Sequence, residues 1–167
     1  MPSSVNEIKI MFVCMGNICR SPTAHAVMQN LLDSRGLNQQ ISVQSSGTHA
    51  YHVGEKSDAR SRQLARSKNI DMEFIRAQKI SINDYDEFDY ILAMDDDNLK
   101  LVNDYAPDHY TAEIALFLDY AVQAGLTEQR IVPDPYYGGD DGFENVFGLV
   151  DVGCVALLAH IQGMANQ

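Results

Sequence analysis

Cys14 and Arg20 frame the window CMGNICR, which runs straight into Ser21-Pro22. A cysteine is a nucleophile only as its thiolate, and nearby cations or a helix N-terminus favour that form. An arginine offers a planar fork of N–H donors that can grip two oxygens of one phosphoryl group. A glycine-containing loop between a strand and a helix also points several backbone N–H groups at one spot, a cradle for a tetrahedral anion. One short loop therefore holds both a phosphate grip and a group to attack the phosphorus. The plainer reading is a buried small residue at a strand end that happens to precede an arginine. Attack by sulfur on a phosphate ester further needs a carboxyl group to protonate the leaving oxygen and later to activate water. Asp134 in VPDPYYGGDDGFENV, between two prolines, is the candidate, although Asp and Pro are also ordinary turn residues.

These side chains need a scaffold, and the pattern around them supplies one. Residues 7–13 are nearly continuously apolar, as in a strand buried on both faces. After Pro22 the period changes: Ala24, Val27, Met28, Leu31 and Leu32 fall at helical spacing, Ser21 is placed to cap the helix and Gly36 to end it. QISVQSSG alternates as a second strand, 57–69 reads as a polar helix, and FDYILAM at 88–94 as a third strand. DDDNLKLVNDYA follows as a helix with an acidic first turn, which the helix dipole favours. AEIALFL at 112–118 is a fourth strand, and a final helix runs from about 142 to 164 with an apolar stripe. The expected fold is α/β: one domain over 1–167, a four-stranded, mostly parallel sheet with helices on both faces, flavodoxin- or Rossmann-like in three layers. Ligands in such sheets bind beyond the carboxyl ends of the strands, where Cys14 lies.

Composition narrows the function classes. The chain has 167 residues, 46% hydrophobic and 21% charged, ordinary for one globular domain. Net charge −11 and a pI near 4.6 argue against nucleic acid or an anionic membrane as partner. No secretory signal opens the chain, and no apolar run reads as a bilayer span. Three cysteines at irregular spacing form neither a disulfide framework nor a zinc signature, so the expected compartment is the reducing cytosol. His25, His49, His52, His109 and His160 show no metal-ligand spacing, and an acidic helical turn accounts for Asp95-Asp96-Asp97. Neither metal nor cofactor is expected.

VCMGNICRSP followed late by DPYYG resembles the low-molecular-weight protein tyrosine phosphatases, and the likeness extends through SSGTHAYHVGEKSDARS, FDYILAMDDDNL and DPYYGGDDGFENV. The resemblance implies a cytoplasmic, metal-independent phosphatase of phosphotyrosine in proteins, working through a phosphocysteine. Cys14 would be the nucleophile, Arg20 the phosphoryl-binding cation and Asp134 the general acid and then base. Ser21 would bond the Cys14 sulfur, and Asn17 would hold the loop's shape, with Ser45 in support. The backbone of Met15, Gly16, Asn17, Ile18, Cys19 and Arg20 would complete the cradle. Ile18, Tyr51, Tyr136 and Tyr137 would wall the cleft, and Asp95 would orient Arg20. Cys19 would be able to trap oxidised Cys14 as a disulfide, against the plainer reading that it only packs.

Where many members of that family carry a histidine bonded to the loop asparagine, alignment by eye places Ile75, in a segment one residue longer. Tyr51 and His52 are expected to tune substrate preference. Arsenate reductase chemistry would need further mid-chain cysteines, and none lies between Cys19 and Cys154. Protein arginine phosphatase, expected to carry Thr at the position of Ile18, is the nearer alternative. A phosphate reader or redox sensor with little catalysis stands behind it. A monomer is the default expectation, with weak self-association through the exposed tyrosine rim left open.

Overall fold

Four strands form the sheet: β1 (Ile8–Cys14), β2 (Ile41–Gly47), β3 (Tyr90–Ala93) and β4 (Glu113–Leu116). They lie in the order β2-β1-β3-β4, and every pairing is parallel. The computed structural model describes residues 7–135 and 140–165. Six helices accompany the strands among those residues: α1 (Arg20–Ser34), α2 (Ala59–Ser67), α3 (Asp84–Glu87), α4 (Asp96–Tyr105), α5 (Asp119–Gln123) and α6 (Asp140–Ala165).

β1 is central, and its residues divide by parity because successive side chains leave a strand on opposite faces. Ile10, Phe12 and Cys14 join a core with Val27 and Met28 of α1 and Val150, Leu157 and Leu158 of α6. Met11 and Val13 join a second core with Tyr85, Ile91 and Val102, on the side of α3 and α4. Helices thus cover both faces, as the continuous apolar run requires. Phe12 meets Phe117 edge-on at 5.0 Å between centroids.

Three expectations change. Ser21 does not cap α1: the helix already includes Arg20, Cys19 is the cap residue without a side-chain cap bond, and the Ser21 hydroxyl turns into the loop instead. The fourth strand stops at Leu116, and α5 begins soon after. Helix α6 is long and apolar enough, by length and composition, to cross a membrane, with half of that window buried inside the fold. Its stripe of Val146, Phe147, Val150, Cys154, Leu157 and Leu158 is sealed in the core, each at most 2% exposed.

Candidate active site

β1 ends at Cys14 and α1 begins at Arg20, so five residues make the turn. Asn17 sits at φ +59, the left-handed region that a non-glycine residue enters only when held there. Two bonds hold it. Its Oδ1 accepts the Gln78 main-chain N–H at 3.0 Å, and its Nδ2 donates to Ser21 Oγ at 2.8 Å. The loop's carbonyls turn outward: Cys14 O, Met15 O and Ile18 O accept N–H bonds from Thr48, His49 and Asp58. Turning oxygens away is what a loop must do to present its N–H edge to an anion.

Gly47 permits this packing. A Cβ there would stand 2.6 Å from Met15 O and 3.1 Å from Gly16 C, so any larger residue would push the end of β2 off the loop.

Cys14 Sγ lies 3.0 Å from Ser21 Oγ. That hydroxyl has one proton and two acceptors, since Ser46 O is 3.3 Å away. Asn17 already fills one lone pair on the oxygen, so a thiolate at Cys14 becomes the nearer, charged acceptor. Arg20 is only 2% exposed. Its Nη1 donates to Asp95 Oδ2 at 2.6 Å and to Val132 O at 3.1 Å, and its Nη2 lies 3.7 Å from Asp134 Oδ2. Burial disfavours its charge, but Cys14, Asp95 and Asp134 outweigh this and hold it above the ordinary arginine value. Burial pushes the Cys19 thiol far up, and Asp58, Cys14 and Asp134 add to the effect; Cys19 therefore stays neutral. Cys14 and Cys19 are both free thiols.

The cleft above the loop encloses about 180 Å³ and is lined by Cys14, Ile18, Arg20, Tyr51, His52 and Asp134 with neighbouring loop residues. Tyr51 is 66% exposed and stacks on His49 at 4.9 Å. His52 Nδ1 is paired with Glu55 Oε2 at 2.6 Å, which fixes the ring at the rim. Val132 N–H bonds Met94 O at 2.8 Å, so the segment leading to Asp134 is tied both to the residue that follows β3 and to Arg20. Tyr136 and Tyr137 lie outside the described residues.

The family model described as low molecular weight phosphotyrosine protein phosphatase matches residues 9–166. The chain belongs to that family. It is 42% identical over 142 residues to the low molecular weight phosphotyrosine protein phosphatase of Schizosaccharomyces pombe, covering 84% of this chain and 88% of that one. The crystal structure of YfkJ from Bacillus subtilis superposes with TM-score 0.88 at 36% identity, covering 97% of this chain and 99% of the other. The crystal structure of a Drosophila arginine phosphatase superposes with TM-score 0.85 at 33% identity, covering 92% and 98%.

In this low molecular weight phosphatase the asparagine network differs from the sequence expectation. Ile75 is a core residue, 3% exposed, with no polar side-chain atom to bond Asn17; the bond comes from the Gln78 main chain. The hydrogen bonds of the Asn17 side chain go to Ser21 and Gln78, not to Ser45. The Ser45 carbonyl accepts Gln78 Nε2 at 2.9 Å and its hydroxyl meets His25 Nδ1 at 3.0 Å, which makes it one step removed. Gln78, Gly47 and Val132 were missed by the sequence reading. Gly47 had a faint signal as the last residue of the SSG strand end; the other two act through main-chain atoms, which leave no mark in a sequence.

Proposed function

We propose that this phosphatase hydrolyses phosphotyrosine in proteins through a phosphocysteine intermediate. The observation that carries the reading is convergence: Asp134, more than a hundred residues along the chain from the loop of Cys14 and Arg20, lines the same cleft as both. In the first step the Cys14 thiolate attacks phosphorus. The P–S bond forms as the P–O bond to tyrosine breaks, and a protonated Asp134 gives its proton to the leaving phenolate. In the second step Asp134 takes a proton from water, whose oxygen attacks phosphorus. The P–S bond breaks, the thiolate is released toward the Ser21 hydroxyl, and inorganic phosphate leaves. Arg20 and the loop N–H groups meet the oxygens on which charge gathers, preorganised and sheltered from water. Ile18 and Tyr51 offer an apolar slot for a phenyl ring.

The free thiols favour a reducing compartment, and we place the protein in the cytoplasm. Cys19, buried beside the nucleophile, is the residue that would trap an oxidised Cys14. The likeness to an arginine phosphatase supports a second substrate, phosphoarginine, against which apolar Ile18 weighs.

Hydrolysis of p-nitrophenyl phosphate and of peptides bearing phosphotyrosine, phosphoserine or phosphoarginine, measured in EDTA, tests this. Wild type is expected to prefer phosphotyrosine, Cys14→Ser to be inactive, and Asp134→Ala to lose most on the poorest leaving groups. A preference for phosphoarginine, or activity that survives Cys14→Ser, overturns it.

A further inference from the structure

Residues 56–79 carry seven of the twelve lysines and arginines of the chain but only three of its twenty-three acids. The rest of the molecule is correspondingly more acidic than its net charge suggests. Topology places this basic segment on one side of the cleft. The connection leaving β2 carries Tyr51 and His52 past the rim, then brings the Asp58 N–H to Ile18 O at 2.8 Å. Across the cleft, on the β3 side of central β1, stand Asp95, Asp96 and Asp97. The loop of the nucleophile thus has acidic residues on its β3 side and the basic apron on its β2 side.

Within the apron, cations crowd one carboxylate. Arg66 Nη2 reaches Glu73 Oε1 at 2.7 Å, Arg62 Nη1 at 3.2 Å, and Lys56 Nζ lies 3.9 Å from Oε2. Arg76 Nη1 donates to the carbonyls of Glu73 and Ile75 at 2.7 and 3.0 Å. A slight desolvation is overcome by Arg62, Lys56 and Arg66, which hold the Glu73 carboxyl below the usual carboxylate range. Glu73 and the neighbouring Asp71 are two carboxylates against Lys56, Arg62, Arg66 and Arg76, so the patch keeps a positive excess. The Lys56 and Arg66 side chains are 53% and 69% exposed, and a groove of about 330 Å³ runs beside Arg66, lined by Arg62, Arg66, Ile70, Asp71 and Glu73 among others.

We propose that this patch docks an acidic segment flanking the phosphotyrosine of a protein substrate. The proposal rests on the tyrosine-phosphatase reading above and names the substrate class for it. Reach agrees with it: Lys56 is two residues from Asp58, which touches the loop, and two extended residues span at most about 7 Å. Acidic residues about two to five positions from the phosphotyrosine, at about 3.3–3.6 Å each, meet the cations. Elsewhere the acidic surface repels such a chain, so the patch also selects the direction in which the peptide lies.

The test compares kcat/KM for phosphotyrosine peptides whose flanking positions are Asp/Glu or Lys, with wild type and the Lys56→Glu/Arg66→Glu variant, at low and high salt. Wild type favours the acidic peptide by about tenfold at low salt, less at high salt, and the variant loses the preference while p-nitrophenyl phosphate turnover is unchanged. Equal rates on both peptides in wild type, or a preference that survives in the variant, overturns the proposal. Fluorescence anisotropy with the same peptides and Cys14→Ser protein, with and without the two charge reversals, reads the patch without turnover. A protein that fails on p-nitrophenyl phosphate but still discriminates the peptides would sink the phosphatase reading and leave the patch standing. Binding to phosphatidylserine vesicles without any peptide preference would instead assign the patch to a membrane, against this proposal.

Discussion

Arg20 spends its guanidinium on three neighbours at once, and Asp95 is the closest of them. Asp95→Asn keeps an oxygen for the cap of α4 but removes the charge facing a buried cation. Loss of one partner of a buried pair typically costs about 3–5 kcal/mol, and Asp134 nearby keeps the expected loss near about 3 kcal/mol. Urea denaturation should show it, together with a fall in kcat; an unchanged midpoint would mean that Asp95 does not hold Arg20. Ser21 acts on the sulfur itself. Ser21→Ala should slow breakdown of the phosphocysteine more than its formation, so rapid-quench kinetics should develop a burst of p-nitrophenol. A uniform slowing without a burst would move the role of Ser21 to the first step. Cys14 and Arg20 were legible because side-chain type and local spacing announce them, whereas the parts of Ser21 and Asp95 came only with the family resemblance: spacing alone made Ser21 a helix cap and Asp95 one of an acidic first turn. Gln78 was not legible: it serves Asn17 with its N–H, which any residue but proline has, and the extra residue in its segment led the eye to Ile75.

At the level of elements, two glycines set how closely the pieces approach. Gly153 lets α6 press on the segment after β4, where an added Cβ would stand 2.5 Å from Phe117 Cζ and 3.0 Å from Leu118 Cδ2. Gly153→Ala should cost about 1–3 kcal/mol by overpacking, read as a lowered thermal midpoint with kcat nearly intact. Gly47→Ala should do the reverse. Its clash is with the backbone of the phosphate loop, so activity should fall by more than tenfold, on the scale of losing an oxyanion contact, with a smaller change in stability. Equal losses of both quantities in both variants would refute the distinction. The long elements were readable from their periods, but α3 and α5 have four and five residues, too few for a 3.6-residue repeat to declare itself.

For the molecule as a whole, acid stability turns on a group outside the cleft. His25 is 5% exposed, and burial lowers it from 6.5 to about 4. The unfolded chain takes up that proton as pH falls through 6.5, whereas the folded chain waits until about 4. The unfolded state binds more protons between these values, so stability drops as pH falls across the window, by up to about 3 kcal/mol. Urea midpoints from pH 4 to 7 should therefore fall less steeply for His25→Gln than for wild type; parallel curves would exclude His25 as the source. The sheet class and the cleft position followed from alternating strand and helix patterns, but the tie from Arg20 to Val132, across most of the chain, did not. That tie has a consequence during synthesis. The loop emerges from the ribosome early, yet its cation finds its seat only after residue 132 has been made, so a nascent chain carries its nucleophile without a working site while more than a hundred further residues are added.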